Sequence, residues 1–271
     1  MKNNRGSIAR AGNALRNVLL VLTMFFVTVP MLVVVWTSIQ PNTYPKFPPT
    51  QFSLKWWNEA LTGEWMRPLA LSAEIAGIAT IISVILGSAA AYALARSNSR
   101  ARTMLEGFLT SPLLLPEIVI SLAVLQFISM FGGSWLGPEL LIAAHVTIGI
   151  PFVVRTVGVS LVGVDPLWER AAYDLGASRL RTFFTITLPL MKSGIFAGAL
   201  FAFIMSFNNV ELSLFLTSRS ATTLPIKILN YMEFEYSPSL AAVAVTGMAG
   251  ILLIAVIASR FTRMTDFIGG R

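Results

Sequence analysis

The sequence predicts an all-α integral membrane protein with six transmembrane helices, on three observations. Of its 271 residues, 55% are hydrophobic and only 12% charged, whereas soluble domains carry about a quarter charged residues; the mean hydropathy is +0.72. Apolar runs recur at the length of about 20 residues that a helix needs to cross the hydrocarbon core. Basic residues stand in short clusters between those runs, as the positive-inside rule requires. A net charge of +7 scattered in this way forms no single patch for nucleic acid. The chain has no cysteine, which excludes disulfides, thiol catalysis, iron–sulfur clusters and Cys-ligated zinc.

The first span, Val18 to Ile39, follows a basic tail, is too long for a cleaved signal sequence, and is expected to be an uncleaved anchor. The next segment carries Pro41, Pro45, Pro48 and Pro49, then Trp56, Trp57 and Trp65. That composition predicts a short extended stretch and a helix lying at the membrane interface. Ile75 to Ala95 and Leu240 to Ser259 are free of charge and histidine. Three further spans are interrupted: Gly107 to Met130 by Glu117, Leu140 to Val164 by His145 and Arg155, and Ser193 to Thr217 by Asn208, Asn209 and Glu211. Together the six make one membrane domain, residues 1–271. Lys2, Arg5, Arg10 and Arg16, then Arg96, Arg100 and Arg102, then Arg170, Arg179, Arg181 and Lys192, then Arg260, Arg263 and Arg271 fall on one side. The other side holds only Lys46, Lys55, Arg67, Arg219 and Lys227, so both termini are expected in the cytoplasm.

Between spans four and five, Asp165 is a good N-cap, Pro166 suits a first helical position, and Gly176 can take the left-handed conformation that ends a helix. Leu167, Ala171 and Leu175 would line one face, with Glu169, Arg170, Tyr173 and Asp174 around the others. Ser178 can cap a second short helix running towards Pro189. A knob projecting into the cytoplasm results, and the small Ala171 and Ala172 allow another protein to approach closely.

Ala171-Ala172, three residues, Gly176, nine residues, Ile186, one residue, Leu188-Pro189 resembles the EAA loop of ABC importer permeases. In that family the loop docks into a groove of the cytoplasmic ATPase. The family's first position is usually Glu; here it is Arg170, with Glu169 one residue earlier. By resemblance, Glu169, Arg170, Ala171, Ala172, Asp174, Gly176 and Ala177 are the ATPase-coupling residues. Pro116 to Val119, His145 to Val154, Ser206 to Val210 and Thr222 to Lys227 resemble stretches of the smaller inner-membrane permease of spermidine and putrescine importers. The resemblance implies the six-helix type I permease fold and alternating access. It also implies a homologous second permease, an ATPase dimer and a periplasmic solute-binding protein. No cofactor is expected in this chain, ATP and Mg being bound by the partner ATPase, since no G-x-x-x-x-G-K-[ST] phosphate loop occurs.

Polar residues within the spans are the candidates for a substrate path: Glu117, His145, Asn208, Asn209 and Glu211. At ~1.5 Å per helical residue, Glu117 would lie roughly 20 Å from the cytoplasmic boundary and the two Asn about 23 Å from it, with His145 and Glu211 in the outer half. Ionisable groups at such depth usually face protein or a water-filled cavity. Each also has a structural reading, Glu117 at a helix break beside Pro116, and His145 or the Asn pair as links between helices. Adjacent side chains point about 100° apart, so one Asn can face the path while the other packs. Gly194 to Gly198 has the spacing of close helix packing. The expected cargo is a small organic solute: a polyamine, or, because an amide pair is less suited than carboxylates to a polycation, a related amine or zwitterion. A membrane enzyme would show a catalytic constellation that one histidine and scattered carboxylates do not supply. An ion-coupled transporter or a channel would have no use for the cytoplasmic knob.

Overall fold

The computed structural model describes residues 4–44, 46–48, 51–97, 99–132, 136–218, 221–234 and 237–261, apart from the side chains of 4–11 and 259–261. The side chains of Lys2, Arg5, Arg10, Pro45, Pro49, Arg219, Ser259, Arg260, Arg263 and Arg271 lie outside that set. The described residues divide into two compact units, one drawn from Met1–Trp65 and Glu235–Met248, the other from Met66–Phe234 and Ala249–Arg271.

In the first unit, helix α1 (Asn4–Ser38) exposes apolar side chains on every side, Leu19, Val21, Met24 and Phe26 among them. A helix apolar all round is built to meet lipid or other helices. Beyond it the Ser53 amide donates to the Ile39 carbonyl at 2.8 Å. The Trp56 indole N–H donates to the Gln40 carbonyl at 2.6 Å. These bonds fold the proline-rich stretch back so that Trp36 meets the rings of Phe47 and Phe52. The short α2 (Lys55–Ala60) then carries Trp56 and Trp57, the helix the tryptophans predicted.

Helix α3 (Gly63–Arg96) begins twelve residues before the expected span and is ~51 Å long, well beyond the hydrocarbon thickness. Span three is not one rod. Helix α4 (Ala101–Thr110), a 3₁₀ turn over Ser111–Leu114, and α5 (Glu117–Ser129) form a pair bent by 99°. Pro116 explains the break: it has no N–H to give a helix, and the residue before a proline is driven to extended backbone, as Leu115 shows at φ −96°, ψ 140°, whereas Ser111 before Pro112 stays helical at φ −59°, ψ −32°. Helix α6 (Pro138–Val162) starts on a proline at its first position.

The knob comprises α7 (Leu167–Asp174) and α8 (Arg179–Thr182). A wide π turn, Phe183–Thr187, joins α8 to α9 (Leu188–Phe207) in one 29-residue apolar helix, Arg179–Phe207. Pro189 therefore does not end the second short helix, as expected from sequence. The π turn covers Thr185, whose carbonyl an ordinary α-helix would drive into the proline ring. Span five instead breaks at its other end, where α9 stops before Asn208 and α10 (Glu211–Leu216) restarts. Helices α11 (Leu224–Phe234) and α12 (Ser239–Phe261) are the last described elements. Among the described residues five helices are long and apolar enough to span a membrane, six if the bent pair is counted as one span.

Apolar burial cannot drive helix association against equally apolar lipid, so close packing and polar contacts must. Helices α6 and α9 show this. A Cβ on Gly194 would stand 2.5 Å from the Thr156 carbonyl oxygen, and one on Gly198 2.5 Å from Thr156 Oγ1. Among the described residues two clusters of buried residues share α6. One joins Ile75 of α3, Leu141, Ala144 and Ile148 of α6 and Leu212 and Leu216 of α10; the other joins Ala91 of α3, Val153, Val157 and Leu161 of α6 and Met191 and Ala202 of α9.

Candidate functional site: a polar break and a docking knob

Two helix breaks meet in the first of these regions. The Asn209 amide donates to Glu117 Oε2, Asn209 Oδ1 accepts the Leu212 amide at 2.8 Å, and Ser121 Oγ donates to the Leu212 carbonyl at 2.9 Å. The sequence produces this locally. Glu117 is the first residue after the Pro116 break, and Asn209 caps α10 with its side-chain oxygen, as Asn does where it competes with the helix backbone. A buried Asn209 thus spends both ends of its amide on structure. The half-buried Glu117 keeps a second carboxylate oxygen with no bond among the described residues.

The other predicted path residues are placed differently. Asn208 is exposed and donates to the Ile204 carbonyl of its own helix at 3.1 Å, so the two asparagines do point apart. His145 is buried, with Nδ1 hydrogen-bonded to Ser206 Oγ at 2.7 Å and Nε2 unpaired among the described residues. Its helix neighbours Ala144 and Ile148 pack in the cluster that holds α10. Glu211 is exposed in the first turn of α10, where a carboxylate complements the helix dipole. Among the described residues no group of three or more His, Cys, Asp or Glu could hold a metal.

In the knob, Asp165 Oδ1 accepts the Leu167 amide at 2.9 Å and starts α7. Gly176 ends it at φ +86°, with the Gly176 amide bonded to the Tyr173 carbonyl and the Ala177 amide to the Ala172 carbonyl, both at 2.9 Å. That pair is the Schellman arrangement. Ser178 Oγ accepts the Arg181 amide at 3.3 Å and starts α8. Leu167, Ala171 and Leu175 form an exposed face, flanked by exposed Trp168, Arg170 and Asp174, while Ala172 and Ala177 are half-buried.

Glu169 points the other way. Its side chain is 7% exposed and receives Arg96 Nη2 at 2.8 Å on Oε1 and Arg96 Nε at 3.2 Å on Oε2. Thr187 Oγ1 donates to Oε1 as well, at 2.8 Å. The guanidinium also lies 5.9 Å from the Tyr92 ring, which meets Phe183 edge-on at 5.5 Å. One carboxylate therefore ties α7 to the end of α3 and to the π turn that opens α9. Sequence reading missed Arg96 and Thr187. Arg96 stood among basic residues that fix topology, and nothing local marked Thr187 as the second donor.

Residues 83–266 match the family described as "Binding-protein-dependent transport system inner membrane component". The chain is 29% identical over 253 residues to the spermidine/putrescine transport system permease protein PotC of Haemophilus influenzae, across 93% of this chain and 98% of that one. It is 30% identical over 246 residues to the putrescine transport system permease protein PotI of Escherichia coli, across 88% and 87%. Among solved structures, a subunit of a bacterial ABC transporter involved in import of the acidic polysaccharide alginate superposes with a TM-score of 0.69 at 15% identity, across 93% of this chain and 97% of that one. The fold is that of type I ABC importer permeases.

Proposed function

Because the chain belongs to the family of inner-membrane components of binding-protein-dependent transport systems, we propose that it is the permease subunit of an ATP-driven importer. In this reading the whole chain acts as one transmembrane permease domain with both termini in the cytoplasm. It pairs with a homologous second permease, two ATPase subunits that bind ATP and Mg, and a periplasmic solute-binding protein. It carries no ATPase chemistry itself.

The observation that carries the coupling role is the build of the knob. The exposed Leu167, Ala171 and Leu175 offer a small apolar face to a groove, with Arg170 and Asp174 at its edges. Glu169 is buried behind that face and acts as a positioning residue: a push on α7 reaches α3 through Arg96 and α9 through Thr187 without a flexible joint. Arg170, in the family's usual Glu position, is then a contact residue, and the internal anchoring falls to Glu169. A rigid link of this kind is what alternating access requires, since closure at the ATPase has to move the spans together.

For the path, the paired helix breaks at Glu117 and Asn209 are the favoured substrate contact, as broken helices supply in many transporters. The free oxygen of Glu117 suits an ammonium group. Asn209 holds that carboxylate in place, and Asn208, His145 and Glu211 lie along the same half of the path. The two named relatives belong to a spermidine/putrescine and to a putrescine transport system, which supports a polyamine or a related amine or zwitterion as cargo here. Affinity purification of the tagged chain tests the assembly. Recovery with an ATPase and a second permease is the expected outcome; uptake by the chain alone in proteoliposomes would overturn it.

A further inference from the structure

A cavity of about 480 Å³ lies among the C-terminal end of α3, the start of α4 and the second half of α6. Its polar lining consists of Arg96, Arg102, Glu106 and Arg155, and the remaining walls are apolar, with Leu94, Val159 and Val162 among them. Arg96 is already committed to Glu169. Arg102 and Arg155 are exposed, and their guanidiniums have no ion pair or hydrogen bond among the described residues. Two uncommitted guanidiniums therefore face one carboxylate, leaving an excess of positive charge in a space that is otherwise oily.

Arg155 needs a partner more than most arginines do. It lies seven residues before the end of α6, ~10 Å inside that end of the helix, in a span where a cation is costly unless it meets water or a counter-charge. The position of Arg102 in the cluster with Arg96 and Arg100 places the cavity at the cytoplasmic surface, a step that rests on the topology proposed above. A basic pocket between helices at that surface suits a lipid headgroup. Guanidinium forks match phosphate oxygens, and the apolar walls match acyl chain.

We propose that this cavity binds a membrane phospholipid, with Arg102 and Arg155 donating to its phosphodiester and Glu106 accepting from the hydroxyl or ammonium group of its headgroup. Inorganic phosphate would share the first contact but make no use of the apolar walls, so a free anion binds far more weakly.

Native mass spectrometry of the purified complex, delipidated and then titrated separately with phosphatidylglycerol, phosphatidylethanolamine and inorganic phosphate, tests this. The expected result is one phospholipid site per chain that survives millimolar inorganic phosphate. Its affinity should fall at least about tenfold in the double variant Arg102→Gln/Arg155→Gln, which removes two charge-assisted contacts. The charge-matched pair Arg100→Gln/Lys192→Gln, outside the cavity, should leave it unchanged. Should the variant fail to assemble, a photoactivatable phosphatidylglycerol added to the wild-type complex is expected to crosslink to α4 and α6 near Arg102 and Arg155. Equal lipid affinity in the double variant, displacement by inorganic phosphate, or crosslinks confined to other helices would overturn the proposal. None of these outcomes depends on transport, so they stand apart from any failure of the importer reading.

Discussion

Arg96, Glu169 and Thr187 form the polar contact with the largest expected effect of a single substitution. Arg96→Met leaves a buried carboxylate without its cation, a loss of about 3–5 kcal/mol when one partner of a buried pair is removed. We expect α7 to detach from α3, seen as faster hydrogen exchange across residues 167–187, and the exchanged pair Arg96→Glu/Glu169→Arg to recover part of the protection. Unchanged exchange in Arg96→Met would mean that packing alone holds the knob. At the other polar cluster, Asn209→Leu removes the donor to Glu117 and the cap on the Leu212 amide. Leaving buried groups unsatisfied costs about 1–3 kcal/mol; uptake by the reconstituted complex should fall by about tenfold, and Glu117→Ala should lower it similarly. Wild-type kinetics in both would assign these residues to packing. Glu117 and Asn209 were legible in the sequence because a polar side chain inside an apolar run is costly and draws attention. Arg96 was not, because an arginine at the end of a span has an adequate explanation in topology, and its partner lies 73 residues away.

At the scale of elements, the knob was read nearly residue by residue, since caps and left-handed glycines are local features: Asp165, Gly176 and Ser178 all act where the sequence put them. Span interiors were less legible. Counting ~1.5 Å per residue assumes an unbroken helix; span three is broken at Pro116, so the depth derived that way for Glu117 does not hold, whereas the asparagines are reached along the continuous α9 and the break in span five bears only on Glu211 beyond them. The breaks depend on which side chain captures a backbone amide, a tertiary outcome in the case of Asn209. Where helices pack most closely, Gly198→Leu forces a side chain into Thr156 Oγ1 and the Val153 backbone, 2.5 and 2.9 Å from the new Cβ. Overpacking of this kind costs about 1–3 kcal/mol, and the purified complex should melt at lower temperature. Gly158→Ala on α6, with nothing within 4 Å of its Cβ position, should melt like wild type.

For the whole molecule, the proposed topology rests on charge alone and is open to a clean test because the chain has no cysteine. An impermeant thiol reagent applied to intact cells should label Asn58→Cys and spare Ala177→Cys; labelling of Ala177→Cys at the level of Asn58→Cys would contradict the orientation and remove the knob from the ATPase side. The central claim, that the knob couples ATP hydrolysis to transport, is tested most directly by measuring both activities together in proteoliposomes holding this chain, its partner permease, the ATPase and the binding protein. Gly176 is the position to change. A Cβ there meets nothing within 4 Å, so the effect of Gly176→Val comes from backbone strain at φ +86°, at least about 1–2 kcal/mol, and not from crowding. The variant should assemble and bind its binding protein, yet lose substrate-stimulated ATP hydrolysis and uptake together. An assembled Gly176→Val complex with wild-type hydrolysis and uptake would contradict the account.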